Sequence, residues 1–417
     1  MNLALDGGTP VRTKAFTAWP VFGAAEEAAL LRVLRSGHWG RLDGEEVARF
    51  ERRFAALHGC EHGIAVANGT VSLRIALLAT GLRAEDEVIV PPYTFIATAS
   101  AVLESNAVPV FADIDLDTFT LDPAAVEAAV TPRTRAMIPV HFAGHPADMD
   151  ALMAIARAHG LVVIEDAAHA HAAGWNGRPA GSLGDLGSFS FQSSKNLTSG
   201  EGGIIVTNDD RMASACRSLQ NCGRTPGGLW YEHHVLAGNY RLGEFQGAIL
   251  DCQFDRLEEQ TGRRDDNGQY LASRLSAVPG LHPQKRAAWC SRHSHHLFML
   301  RLDAVEFGAP RAAVLEALQA EGIPCSGGYA FSLPHQPLFR NRAYGPYVPG
   351  QSGQAPARPA ACPRSDRVCE QAIWLGQNLL LGPRTDMDDI VRAFEKVYEH
   401  REHLRVRAGN ATTGSRG

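Results

Sequence analysis

The chain has 417 residues, 45% of them apolar and 20% charged, with a formal net charge of -5. That length can bury a sizeable core in two or three structural units, and the charge balance supplies no basic field for nucleic acid. No apolar run approaches a membrane span and Met1 to Arg12 lacks the apolar core of a signal peptide, so a cytoplasmic protein without membrane contact is expected.

Residues 24–57 carry a helical pattern, with Leu30, Leu31, Val33 and Leu34 before a loop at 37–44 and Val47, Phe50, Phe54 and Leu57 after it. Residues 64–66, 87–90, 108–111, 136–140 and 161–164 read as short strands, with helix-like segments such as 71–80 and 148–159 between them. Strands alternating with helices predict an α/β fold with a mostly parallel central sheet, function gathering at the carboxyl ends of its strands. Phe189, Ser190 and Phe191 alternate as a half-buried strand would, and a loop rich in Gly, Ser and Thr follows to Gly203. From Tyr240 to about Ala277, an amphipathic pattern through Phe245, Ile249, Leu250, Phe254 and Leu257 predicts one long helix leaving the large domain. Beyond it, 295–302 reads as a strand and 311–321 as a helix, which implies a smaller α+β domain. The expected division is a large domain over 1–255, a small C-terminal domain over 256–404 and a disordered tail over 405–417. The Gly- and Pro-rich stretch 344–363 reads as a surface loop.

The cysteines (Cys60, Cys216, Cys222, Cys252, Cys290, Cys325, Cys362 and Cys369) are scattered without a CxxC pair, as reduced structural thiols are. Lys195 stands at a predicted strand-to-loop junction, downstream of Asp166 at the end of an apolar run. An amine, a strand-end carboxylate and a small-residue loop are what a protein needs to hold pyridoxal phosphate as a Schiff base. The lysine forms the imine, Asp166 keeps the pyridine nitrogen protonated, and backbone amides with hydroxyls take the phosphate. Asp166 would otherwise be a helix N-cap, and His169 a core histidine bonded to a carbonyl. His171 has the pattern of a surface residue or one packed behind the site. His169-Ala-His171 and Arg292-His-Ser-His-His296 resemble metal pairs, but neither has a third ligand at useful spacing, so no metal is expected. Phe95 is either a ring that stacks on the pyridine or core packing. Gly69 and Thr70 precede a helix whose amides would face an anion, or simply cap it. Arg241 would bind a donor carboxylate or pair with Glu244.

Gly69-Thr70, Pro92-Tyr-Thr-Phe95, Pro139-Val-His-Phe-Ala-Gly144, Glu165-Asp-Ala-Ala-His-Ala170, Ser188 to Gly203 and Gly238-Asn-Tyr-Arg241 occur in one order along the chain. Together they resemble the DegT/DnrJ/EryC1/StrS family of pyridoxal phosphate-dependent aminotransferases, and within it the scyllo-inosose aminotransferases and 3-amino-5-hydroxybenzoate synthases. The resemblance runs from about Gly7 to about Tyr398 and implies fold type I, with the cofactor in the large domain. It places His169 at the cofactor's O3' edge, Phe95 on the ring face and the Ser190 hydroxyl on the phosphate. Asn239 would reach the phosphate from a second subunit, which implies a homodimer with shared sites. Trp39 and the loop at 40–44 match the substrate-side entrance, with Tyr329 a further candidate. The implied reaction moves an amino group from L-glutamine or L-glutamate to a keto-cyclitol or keto-sugar, in amino-sugar, aminocyclitol or antibiotic biosynthesis. The alternatives are a 3-amino-5-hydroxybenzoate synthase-type lyase and, in a different class, a non-catalytic cofactor-binding regulator or partner subunit. Intact Lys195, Asp166, His169 and Ser190 argue against that last reading.

Overall fold

A computed structural model describes residues 2–225, 227–347 and 361–414. The strands in chain order are β1 (His62–Val66), β2 (Glu87–Val90), β3 (Val108–Phe111), β4 (Thr134–Met137), β5 (Val162–Asp166), β6 (Gly174–Trp175), β7 (Arg178–Pro179), β8 (Leu186–Ser190), β9 (Gly203–Thr207), β10 (Leu281–Pro283), β11 (Cys290–Arg292), β12 (Leu297–Leu302) and β13 (Ala372–Gly376). Seven of them form the central sheet in the order β1-β9-β8-β5-β4-β2-β3. The pairs from β8 through β5, β4 and β2 to β3 are parallel, whereas β9 is antiparallel to both β8 and β1, so β9 alone runs against the rest.

Alternation along each strand feeds two cores. Val88 and Val90 pack with Ile64, Val66 and the helix Gly69–Ala79 on one face, and Ile89 packs with Met137, Val163 and Leu152 on the other. Phe50 and Phe54, on the helix Glu46–Leu57, close the β1–β9 edge with Ala65, Ile204 and Val206. Both faces are therefore covered, and β8 is buried along its whole length rather than half-buried.

The C-terminal unit is the antiparallel sheet β10-β12-β13. Leu300, Leu302, Ile373 and Leu375 pack there against the helices Arg311–Ala320 and Arg384–Glu399. The N-terminus also joins this core. Leu3 is buried in it, the amides of Ala4 and Val11 donate to the Glu321 carboxylate at 2.8 and 3.0 Å, and Arg12 pairs with Asp386 and Asp389 at 2.8 and 2.7 Å. Sequence order had grouped these first residues with the large domain. Burial of Leu3 and neutralisation of Arg12 tie them to the other end of the chain.

The single helix expected from Tyr240 is two, Glu244–Phe254 and Leu257–Leu275. Asp255 and Arg256 at the break are held by Arg53 and Glu26 respectively. The tail expected to be disordered from Arg405 is helical backbone from Arg401 to Gly414. Buried Leu404 anchors it in the C-terminal core, and Arg407 pairs with Asp6 and Glu316 at 3.0 and 3.3 Å. Most of the loop expected at 344–363 lies outside the described residues; Pro363 already opens the helix Pro363–Gln371.

Candidate active site

The site lies at the carboxyl ends of β5 and β8, beside the N-terminus of the helix Gly69–Ala79 that follows β1, where an α/β sheet gathers its ligand-binding groups. Asp166 is the last residue of β5. Its Oδ2 accepts from the Thr98 hydroxyl at 2.8 Å and its Oδ1 from the Ala168 amide at 3.2 Å. No helix follows it directly, so Asp166 is not an N-cap. Burial raises the carboxyl pKa, against the lowering effect of those two bonds and of the Lys195 charge.

Lys195 follows the end of β8 by one turn, its amide donating to the Gln192 carbonyl at 2.8 Å. Burial lowers its ammonium to a pKa of about 8, with the Asp166 charge pulling the other way. Among the described residues, Lys195 Nζ has no hydrogen-bond partner and Asp166 no ion-pair partner within contact distance.

The anion-facing end is built by close approach. A Cβ at Gly69 would stand 2.6 Å from the Ser190 Cβ and 3.0 Å from its Oγ, and one at Gly203 would stand 2.6 Å from the Asn68 carbonyl oxygen. Only glycine lets the helix terminus meet Ser190, and β9 meet Asn68, so closely. Asn68 caps the helix through its Oδ1, which accepts from the Val71 amide at 2.9 Å. Thr70 in the first turn is half-buried, and Ser190 Oγ accepts from the Gln192 amide at 3.3 Å. The first turn of the helix and the Ser190 hydroxyl thus lie side by side, an arrangement that can receive an anion.

Around this centre, His169 Nδ1 accepts from the Ala143 amide at 3.3 Å, and its ring lies 4.2 Å from that of His296. It is not a core histidine bonded to a carbonyl. His171 is no surface residue: it is wholly buried, and its Nε2 meets the Ser190 carbonyl at 2.8 Å. Phe95 is 57% exposed and so is not core packing. Tyr329 packs edge-on against Tyr93 at 5.4 Å and Trp374 at 4.8 Å; burial and the Asp166 charge both raise its pKa. Trp39 is 51% exposed, its ring 5.9 Å from Phe245.

Arg241 does not pair with Glu244. Its Nη1 donates to Asn221 Oδ1 at 2.6 Å, while Glu244 accepts from the Glu46 amide at 2.6 Å and caps the helix Glu46–Leu57. Asn239 bridges Asn221 through its backbone and exposes its side chain. Thr98, 68 residues before the carboxylate it serves, had no signal in the sequence. Among the described residues, the group with metal-ligand proximity is Glu61, His62 and Asp210, at the opposite end of β1 from the site; the His169–His171 and His293–His296 runs form none.

The chain matches the DegT/DnrJ/EryC1/StrS aminotransferase family over residues 21–395. It is 42% identical to the L-glutamine:2-deoxy-scyllo-inosose aminotransferase of Streptoalloteichus tenebrarius, over 97% of this chain and 100% of that one. With the 3-amino-5-hydroxybenzoate synthase of Amycolatopsis mediterranei it shares 38% identity over 89% of this chain and 94% of the other. A crystal structure of 3-amino-5-hydroxybenzoic acid synthase matches the fold with a TM-score of 0.84 at 37% identity, covering 93% of this chain and 100% of that one. Pyridoxal phosphate fits the residues present. A half-buried amine and a buried carboxylate, neither with an ionic partner among the described residues, and a helix N-terminus beside Ser190 match its aldehyde, its pyridine nitrogen and its phosphate. Family match and site chemistry agree: the chain belongs to the DegT/DnrJ/EryC1/StrS family of pyridoxal phosphate-dependent aminotransferases, with fold type I architecture.

Proposed function

We propose that the enzyme transfers the amino group of L-glutamine or L-glutamate to a keto-cyclitol or keto-sugar in aminocyclitol, amino-sugar or antibiotic biosynthesis. The observation that carries this reading is the half-buried Lys195 amine, without a hydrogen-bond partner among the described residues, in the field of the buried Asp166 carboxylate. The 42% identity to a glutamine:keto-cyclitol aminotransferase supports the substrate class. Bound pyridoxal phosphate supplies the electron sink that makes a carbon-bound proton of the amino donor removable. Lys195 would hold the cofactor through Nζ and, as a neutral amine, would move that proton, for which its lowered pKa suits it. Asp166 keeps the pyridine nitrogen protonated. Its raised pKa reflects a buried anion without a cation, the condition that the cofactor's ring relieves.

Gly69, Thr70 and Ser190 would take the phosphate, joined by Asn239 of the partner subunit. Phe95 would pack on the cofactor ring and His169 would bond its O3' oxygen, while Trp39, Arg241 and Tyr329 would border the substrate. The exposure of Asn239 and the freedom of Arg241 from Glu244 are consistent with both roles. This reading takes the protein as a cytoplasmic homodimer, with a cofactor-binding unit up to residue 255 and a smaller one from 256 that the N-terminal residues join; among the described residues no helix is long and apolar enough to cross a membrane.

The likeness to 3-amino-5-hydroxybenzoate synthases favours a second reading, a lyase that aromatises an amino-dehydroshikimate-like acid on the same site. One experiment separates them. Holoenzyme is incubated with L-glutamine and, in turn, scyllo-inosose, 2-deoxy-scyllo-inosose, nucleotide keto-sugars and the carbocyclic acid, with products read by mass. Transfer predicts an aminated acceptor matched mole for mole by the keto acid of the donor. Loss of water from the carbocyclic acid with no keto acid formed would replace transferase by lyase, and no turnover of any acceptor would sink the proposal.

A further inference from the structure

His141 and Glu165 are both wholly buried and their side chains bond to no group assigned to catalysis, yet they are bonded to each other, His141 Nε2 to Glu165 Oε2 at 2.7 Å. The remaining bonds fix the sense of that contact. His141 Nδ1 accepts from the Ala147 amide at 3.0 Å, so the ring proton sits on Nε2 and is donated to Glu165. Glu165 also accepts from the amides of Gly181, Leu183 and Gly184 at 2.7, 2.6 and 2.7 Å. Burial alone would raise its pKa, but the bonds from His141 and the backbone hold it below the usual carboxylate value.

The backbone of His141 grips the turn that follows. Its amide donates to the Asp166 carbonyl at 3.1 Å, and its carbonyl accepts from the Gly144 amide at 3.1 Å. Inside that turn Ala143 is held at φ 59, a left-handed conformation unfavourable for a residue with a side chain. The same turn points the Ala143 N–H at His169 Nδ1, 3.3 Å away. From the other side, Ser294 Oγ donates to the His169 carbonyl at 2.8 Å. Among the described residues His169 Nε2 has no partner, and it is the ring atom left for a ligand.

We propose that the Glu165–His141 pair is a positioning brace that holds His169 in a single tautomer with its proton on Nε2, so that His169 meets the cofactor as a hydrogen-bond donor and not as a proton acceptor. This rests on the proposed function only for the identity of what Nε2 faces. An N–H aimed at Nδ1 needs a lone pair there, and the ring stays neutral because burial, then the Lys195 and His171 charges, hold its pKa well below the usual histidine value. A ring fixed in this way has no lone pair at Nε2 with which to take a proton, and protonation at Nδ1 would break the Ala143 bond and leave a buried cation near Lys195. Proton movement is thereby left to Lys195.

The test is the long-range 1H–15N spectrum of holoenzyme labelled with 15N-histidine, the His169 signals being assigned by their loss in His169→Gln. The expected pattern is a neutral ring protonated at Nε2. A proton on Nδ1, or on both nitrogens, overturns the proposal. His141→Gln should replace the single pattern by a mixture of tautomers, whereas Ala143→Gly, which keeps the N–H and relieves the left-handed strain, should retain it. Should His141→Gln fail to fold by circular dichroism, Glu165→Gln serves as the second variant with the same expectation. A folded variant of either kind with an unchanged His169 pattern removes the brace from the account. Because the tautomer is read without turnover, an Nε2–H pattern in a protein that aminates no acceptor would sink the functional reading and leave the brace standing.

Discussion

At the scale of single residues, Lys195 and Asp166 perturb each other, and that coupling is measurable. Burial holds the Lys195 pKa at about 8 while the Asp166 charge opposes the drop. The neutral amine is the nucleophile, so uptake of pyridoxal phosphate by apoprotein should accelerate as pH rises through about 8 and level off above it. Asp166→Asn removes the anion that holds the pKa up and should move the midpoint lower; an unmoved midpoint would mean that the two groups are not coupled. Lys195→Ala should still bind cofactor but lose its covalent attachment under borohydride, with turnover falling by at least ~10^3-fold, the scale of a lost proton-transfer group. Thr98 carries a prediction that the sequence alone would not suggest. Thr98→Val takes one charge-assisted hydrogen bond from Asp166, worth about 1.5–3 kcal/mol, so cofactor affinity should weaken by roughly tenfold or more in an equilibrium titration.

At the scale of elements, the helix Glu46–Leu57 is positioned by contacts from the helix Glu244–Phe254. Glu244 supplies a carboxylate to the first amides of the former, and a Cβ at Gly247 would stand 2.7 Å from Val47 Cγ2 and 2.8 Å from its amide nitrogen. Glu244→Ala removes a helix cap and should cost about 1 kcal/mol. Gly247→Ala overpacks a rigid contact and should cost about 1–3 kcal/mol. Thermal unfolding should therefore rank Gly247→Ala as the less stable or equal of the two; a neutral Gly247→Ala would show that the helices part easily. Element types were readable from periodicity in most of the sheet, because alternating apolar residues in runs bounded by turn residues leave few other options. Periodicity gave no warning of the break at Asp255 and Arg256, since the interruption is held by Arg53 and Glu26, far away in sequence.

At the scale of the whole molecule, the proposed dimer makes a prediction that no monomeric enzyme shares. If Asn239 serves the site of the neighbouring subunit, an inactive Lys195→Ala chain mixed with an impaired Asn239→Ala chain should regain activity. Each heterodimer would contain one site with both residues intact, so free exchange should restore about one quarter of wild-type sites after subtraction of the residual activity of the Asn239→Ala parent. Verified heterodimers without recovery would rule out a shared site. A fully active Asn239→Ala parent would remove Asn239 from the phosphate contacts.

The sequence by itself determined the α/β architecture, the cofactor lysine and aspartate candidates and the family resemblance, because these depend on apolar periodicity and on short segments such as Glu165-Asp-Ala-Ala-His-Ala170 whose residue types and order are local. Only the tertiary structure decided which partners those residues keep. Arg241 turns to Asn221 and not Glu244, His171 is buried under Ser190, Thr98 reaches Asp166, and Ala143 aims its amide at His169. The N-terminal residues likewise join the C-terminal core through Leu3 and Arg12. The physical reason is common to all of them: a buried polar or charged group must find a hydrogen-bond partner or counter-charge, and the partner it finds is set by distance in the packed chain, not by distance along it.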